Sequence, residues 1–150
     1  MTEKLEPIRH RIDVDVPLDH LWRVMTEAAT VPLWLGCMHY EAKLGHTFYM
    51  QPDAAKRAAN DRSGATWCDV TALSKPLFAF TWYMPDTPKT NVSFRLTSLG
   101  PERTRVDFEH DGWDQFPVEM VRGIRDMLQG GWTSAVLPNL ERVASGAAPS

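Results

Sequence analysis

Two cysteines, Cys37 and Cys68, are all that this 150-residue chain carries. They do not stand in C-x-x-C spacing, so neither a disulfide framework nor a thiol redox motif is expected, and reduced thiols in a cytoplasmic setting are the simpler reading. Apolar runs are short as well. None approaches the ~18 residues that a membrane-spanning helix needs, and the opening MTEKLEPIRHRID lacks the apolar stretch of a secretory signal. No sign of charge dominates: 16 basic against 19 acidic residues leave a net charge of −3, which argues against generic binding to nucleic acid or to anionic membranes. The chain has no G-x-S-x-G elbow, no H-E-x-x-H pair and no glycine-rich phosphate loop. Nothing in it therefore implies a nucleophilic hydrolase, a metal site or a cofactor. No internal repeat is evident.

What is present is ordinary for a globular protein: 43% hydrophobic and 23% charged residues. The length fits one domain, residues 1–150, with a small, polar tail at 145–150 expected to fray. Six tryptophans are many for this length. Indoles are costly to leave in water, so several are expected to line a core or a pocket.

The segment that organises the chain is its last long one, Phe116 to Val143. Its apolar residues Val121, Ile124, Leu128, Trp132, Val136, Leu140 and Val143 recur in steps of 3, 4, 4, 4, 4 and 3, which is one face of a helix. Gly130-Gly131 softens it, and Pro138 lacks an N–H and crowds the carbonyl of Ser134, so a bend is expected there. Such a rod needs a broad partner, and the preceding sequence supplies strands.

Ile8, His10, Ile12, Val14 and Val16 alternate with charged residues and read as a half-buried strand. Pro17 opens a helix carrying Leu18, Leu21, Trp22 and Met25. Thr30 and Pro32 open a second short one that buries Trp34-Leu35. A short edge strand is expected near Glu41 to Lys43, then a strand with His46, Phe48 and Met50 on one face. Gln51 to Gly64 is polar and reads as a loop or a short helical turn. Strands are expected over Ala65 to Leu73, Leu77 to Met84, Thr90 to Leu99 and Arg103 to Gly112, with apolar even positions: Val70, Phe78, Phe80, Trp82, Val92, Phe94, Leu96, Val106 and Phe108. Their short connections predict an antiparallel meander, hence an α+β fold with helices on one face of a bent sheet.

Several pieces then resemble a known family. They are Val16-Pro17 with Leu21-Trp22 and Met25-Thr26; Pro32-Leu33-Trp34-Leu35; Gly45 with Phe48; Phe80-Thr81-Trp82; Thr104-Arg105-Val106 leading to His110-Asp111-Gly112; and Gly131-Trp132 before Leu137 and Leu140. In order and spacing they resemble the helix-grip (START-like, SRPBCC) superfamily, in the branch similar to the C-terminal domain of the activator of Hsp90 ATPase. The resemblance implies a curved antiparallel sheet wrapped around a long C-terminal helix, with two short helices after the first strand and a cavity between sheet and helix. Members of that superfamily include lipid carriers, aromatic polyketide cyclases and co-chaperone domains, so the fold leaves function open.

Strand parity places His10, His46, Thr66, Cys68, Thr104 and His110 on the face that meets the helix. Buried polar groups need partners, and each of these reads either as a satisfied structural group or as a contact for a guest. Three functions remain in play. The first is a non-catalytic module that holds a small hydrophobic or aromatic molecule. Trp34, Phe48, Val70, Phe80, Phe94, Leu128, Trp132 and Val136 would be its walls, and His110, with Tyr40 or Cys68, would orient the guest. Access would run past Gln51–Gly64 and Gly130-Gly131. The second is a cyclase, dehydratase or hydrolase that uses His110 as acid and base. The third is a protein-interaction module related to chaperone activation. Homodimerisation is compatible with each.

Overall fold

The alternation at the start of the chain forms β1, Ile8–Val14. Pro17 closes the extended segment and stands at the N-cap of α1, Leu18–Thr26, which buries Leu21, Val24 and Met25. Thr30 occupies the N-cap of α2, Val31–Leu35. Its hydroxyl turns back to donate to the Val24 carbonyl at 2.7 Å, tying the two helices together rather than capping the second. Gly36 ends α2 at φ +66°, a left-handed conformation that suits glycine. The computed structural model describes residues 7–51, 53–61, 63, 65–84, 89–113, 123, 126–128 and 130–145. The turn Pro85-Asp86-Thr87-Pro88, the expected helix before residue 123, Ile124 and the tail past 145 lie outside the described residues.

The strands that follow are β2, Cys37–Met38; β3, Thr47–Met50; β4, Thr66–Ser74; β5, Leu77–Trp82; β6, Thr90–Gly100; and β7, Arg103–Asp111. The expected edge strand near Glu41 to Lys43 is not formed. Pairing is made instead by Cys37 and Met38 opposite Met50 and Tyr49. Between β3 and β4 lies α3, Ala54–Ala58, capped by the Asp53 carboxylate accepting from the Ala55 and Lys56 amides. The seven strands form a curled antiparallel sheet in the order β1-β7-β6-β5-β4-β3-β2, the helix-grip α+β fold. Strand parity holds through most of the sheet: in β7, Thr104, Val106, Phe108 and His110 are buried while their neighbours are not. The inward rings pack against one another, Phe48 edge to face on Phe80 and Phe94 tilted on Phe108, both pairs at 5.2 Å between centroids.

The C-terminal segment departs from the periodicity of its sequence. Residues 130 and 131 are helical, but Trp132–Val136 form a π turn, in which the Leu137 amide donates to the Trp132 carbonyl five residues back. Regular helix resumes as α4, Leu137–Ala144. Pro138 explains the position. It has no N–H for the Ser134 carbonyl, and its ring would crowd that carbonyl in a regular turn; the wider turn relieves both. The extra residue rotates everything after it. Trp132, Leu137, Leu140 and Ala144 are the buried positions, in steps of 5, 3 and 4, whereas Val136 and Val143, expected inward, are only partly buried.

This register has a measurable consequence. Leu137→Ala removes a fully buried side chain and is expected to cost about 2–5 kcal/mol, while Val136→Ala is expected to cost under about 1.5 kcal/mol. Urea unfolding of the two variants checks this, and equal losses would return Val136 to the core.

Candidate ligand-binding site

The inner face of β7 ends in His110, which is fully buried. Three indoles surround it: Trp113, Trp82 and Trp132, with ring centroids 4.5, 5.5 and 6.0 Å away. Its hydrogen bonds assign its protons. An indole N–H only donates, so Trp132 Nε1, at 3.2 Å, donates to an unprotonated Nδ1. The proton is therefore on Nε2, which donates to Thr90 Oγ1 at 2.7 Å. Thr90 in turn donates its hydroxyl to the Trp82 carbonyl at 2.6 Å. Trp113 Nε1 donates to the His110 carbonyl at 2.8 Å. Each polar atom of this chain has a partner of the right kind, and burial pushes the imidazole down to about 3. The ring is a neutral tie between β6, β7, the end of β5 and the C-terminal helix. Both of its nitrogens are engaged, and no lone pair or proton is left to orient a guest or to serve as acid and base.

The other inward polar residues divide similarly. Thr104 donates to the Val16 carbonyl at 2.9 Å. Tyr40, whose hydroxyl burial pushes up, donates to the Thr26 carbonyl at 2.6 Å. Cys68 is fully buried and its thiol is pushed up by burial, while the Cys37 thiol is pushed up to about 12 by the same cause. Such thiols pack as small hydrophobes. His10 does not face the core: β1 is the edge of the sheet, and the imidazole is exposed there despite its parity. His46 lies just before β3, with Nε2 on the His39 carbonyl and Nδ1 3.3 Å from Glu41. The histidines do not gather, and no group of three potential metal ligands forms among the described residues.

A cavity of about 330 Å³ opens between the C-terminal helix and the β3–β5 end of the sheet. The helix contributes Met127, Leu128, Gly131, Trp132, Ala135 and Val136, and the other wall is made by Leu35, Gly36, Met50, Thr66 and Trp82. Of the walls expected from sequence, Leu128, Trp132 and Val136 are here. Trp34, Tyr40, Phe48, Cys68, Val70, Phe80, Phe94 and His110 are packed behind it in the core. Trp34 is fixed there by its Nε1 donating to the Val24 carbonyl at 3.1 Å. The π turn explains the exchange: by sending Leu137 inward it leaves Ala135 and Val136 to face the cavity. Among the described residues no charged side chain lines the space. Its polar side-chain groups, among the described residues, are the Thr66 hydroxyl and the indole N–H groups of Trp82 and Trp132. The Trp132 group is bound to His110, and those of Thr66 and Trp82 make no hydrogen bond among the described residues. Thr66 had been expected inward by parity. Trp82 and Gly131 carried the family resemblance, and Met127 and Ala135 had no signal beyond their helical positions. Trp113 likewise went unrecognised.

The opposite face of the sheet carries a second feature. Tyr49, Trp67 and Tyr83 form a row of partly exposed rings across β3, β4 and the residue after β5, with centroid spacings of 5.3 and 6.3 Å. Asp69 lies in the same region and accepts from Thr47 Oγ1 at 2.7 Å, Tyr83 OH at 3.1 Å and Lys89 Nζ at 3.2 Å. Among the described residues no helix is long and apolar enough to cross a membrane.

A family model described as "Activator of Hsp90 ATPase homolog 1-like protein" matches residues 15–144. No curated protein sequence matches the chain. Among solved structures, a protein from Mesorhizobium loti is similar at 21% identity and TM-score 0.74, over 94% of this chain and 98% of that one. An Hsp90 activator from Plasmodium falciparum is similar at 18% identity and TM-score 0.70, over 93% of this chain and 96% of that one. DynU16, a protein of the dynemicin biosynthetic locus, is similar at 19% identity and TM-score 0.68, over 95% of this chain but 48% of its own. At these identities the likeness is one of fold.

The depressed imidazole predicts a pH dependence of known sign. Folding keeps His110 neutral down to about 3, whereas in the unfolded chain it takes a proton below its ordinary value of 6.5. Its contribution is therefore complete above about 6.5 and declines as pH falls toward about 3, with a slope of up to about 1.4 kcal/mol per pH unit for one proton. Urea midpoints between pH 7 and 4 are expected to fall more steeply for the native protein than for His110→Phe. Nitrogen NMR at pH 7 is expected to show the Nε2–H tautomer.

Proposed function

The chain belongs to the family of Activator of Hsp90 ATPase homolog 1-like proteins, and on that footing we propose that it is a non-catalytic binding module for a small hydrophobic molecule held between its C-terminal helix and its sheet. The observation that carries this reading is the cavity of about 330 Å³, with apolar walls and, among the described residues, no charged side chain. It lies at the lower end of the roughly 300–1,000 Å³ typical of small-molecule sites, which are mostly hydrophobic with a few placed polar groups. The absence of catalysis is supported by the saturation of His110, the one titratable group at the inner end of β7, and by the high thiol values of Cys37 and Cys68. An acid–base mechanism needs a group that exchanges protons near neutral pH, and these do not. Ala135 offers a direct test, because it is exposed on the cavity side of the π turn. The neutral dye Nile red is expected to bind one to one with enhanced emission, and Ala135→Trp is expected to weaken it by about tenfold or more. A dye that does not bind, or binds both proteins equally, removes the reading.

The outer aromatic row supports a second reading, a face that docks a protein partner. Aromatic residues are enriched at such interfaces, and one similar structure is an Hsp90 activator. If that face serves a chaperone of the Hsp90 class, the chain will raise that chaperone's ATPase rate and Trp67→Ala will abolish the effect. An unchanged rate would leave the row without a partner of this kind.

A further inference from the structure

We infer that the cavity selects an uncharged, flat aromatic guest of roughly two or three fused rings that carries one hydrogen-bond acceptor; the inference rests on the binding reading above and narrows it to a chemical class. Four observations converge on that class. The two largest walls are indoles, Trp82 from the sheet and Trp132 from the helix, and aromatic pairs gain from ring-to-ring geometry that an alkyl chain cannot supply. Trp132 is held in place by its bond to His110 at 3.2 Å, so this wall is rigid before a guest arrives and suits a rigid guest. An ion would be stripped of water with no counter-charge from the lining, because no charged side chain reaches the space among the described residues. Lastly, Thr66 Oγ1 and Trp82 Nε1 are donors without a protein partner among the described residues. An alkane-like guest would cover them unpaired, whereas an acceptor on the guest satisfies one of them. Met50 and Met127, also on the lining, are flexible enough to close over guests of somewhat different outline.

The test is calorimetric titration at pH 7 of the full chain with 2-naphthol, 1-decanol and 2-naphthoate, repeated on Ala135→Trp and Gly131→Leu. A side-chain Cβ at Gly131 meets nothing within 4 Å among the described residues, and Ala135 is exposed on the cavity lining; circular dichroism checks that both variants fold. The expected result is that 2-naphthol binds at least about tenfold more tightly than 1-decanol or 2-naphthoate, that both filled variants lose it, and that Trp82→Phe or Thr66→Val lowers its affinity toward that of naphthalene. If decanol binds as well as naphthol the aromatic requirement is wrong, and if naphthoate does the uncharged requirement is wrong; in either case loss of all three in the filled variants leaves the cavity standing as the site. Naphthol binding that is unchanged in both filled variants overturns the cavity reading and this inference together. Failure of naphthol to bind a protein that still takes up Nile red overturns the inference alone.

Discussion

A missing proton at one backbone nitrogen governs the architecture of the helix that fills this sheet. Pro138 cannot donate to the carbonyl a turn before it, and the chain answers with a wide turn in which Leu137 reaches back to Trp132. One added residue then decides which side chains meet the sheet. Leu137, Leu140 and Ala144 close the core, while Ala135 and Val136 are released to the rim and bound a hollow with Trp132. Wide turns of this kind recur at functional sites because they aim side chains away from the regular stripe. Here the reason is mechanical: a regular helix would have placed Val136 on the sheet and left no reason for a space beside it.

The second organising contact is the buried imidazole. A histidine among three indoles would ordinarily be a liability, since an unpaired polar group in such surroundings destabilises the fold. In this protein the donors and acceptors alternate without a gap from Trp132 through His110 and Thr90 to the carbonyl of Trp82. Chains of this kind reward one arrangement of rotamers over others. The result is that two tryptophans bounding the hollow, one on the helix and one on the sheet, are linked through groups that do not themselves face it.

Much of this could be read before any coordinates. Alternation in Ile8 to Val16 and in the even positions from Val70 to Phe108 encodes the strands, because a half-buried strand must segregate its faces. The order of elements and the aromatic landmarks point to the helix-grip arrangement. The failures have physical causes too. Helical periodicity assumes 3.6 residues per turn throughout, so it misassigned Val136 and Val143 and passed over Leu137. Parity says which face a residue shares but not how deep it lies, so it could not separate His10 on the edge strand β1 from His110 on the interior strand β7. The walls expected from sequence were mostly aromatic core, since large rings satisfy the same pattern whether they pack against one another or line a void. Strand β2, two residues long, is too short to leave a periodic trace.

Because the wide turn separates the residues that stabilise the helix from those that bound the hollow, the two sets are free to diverge independently. Gly131 and Ala135 can exchange for larger or differently shaped side chains without disturbing Leu137 or Leu140. Descendants of this chain could thus trade one guest for another by drift at a few rim positions, with the thermodynamic security of the scaffold left intact.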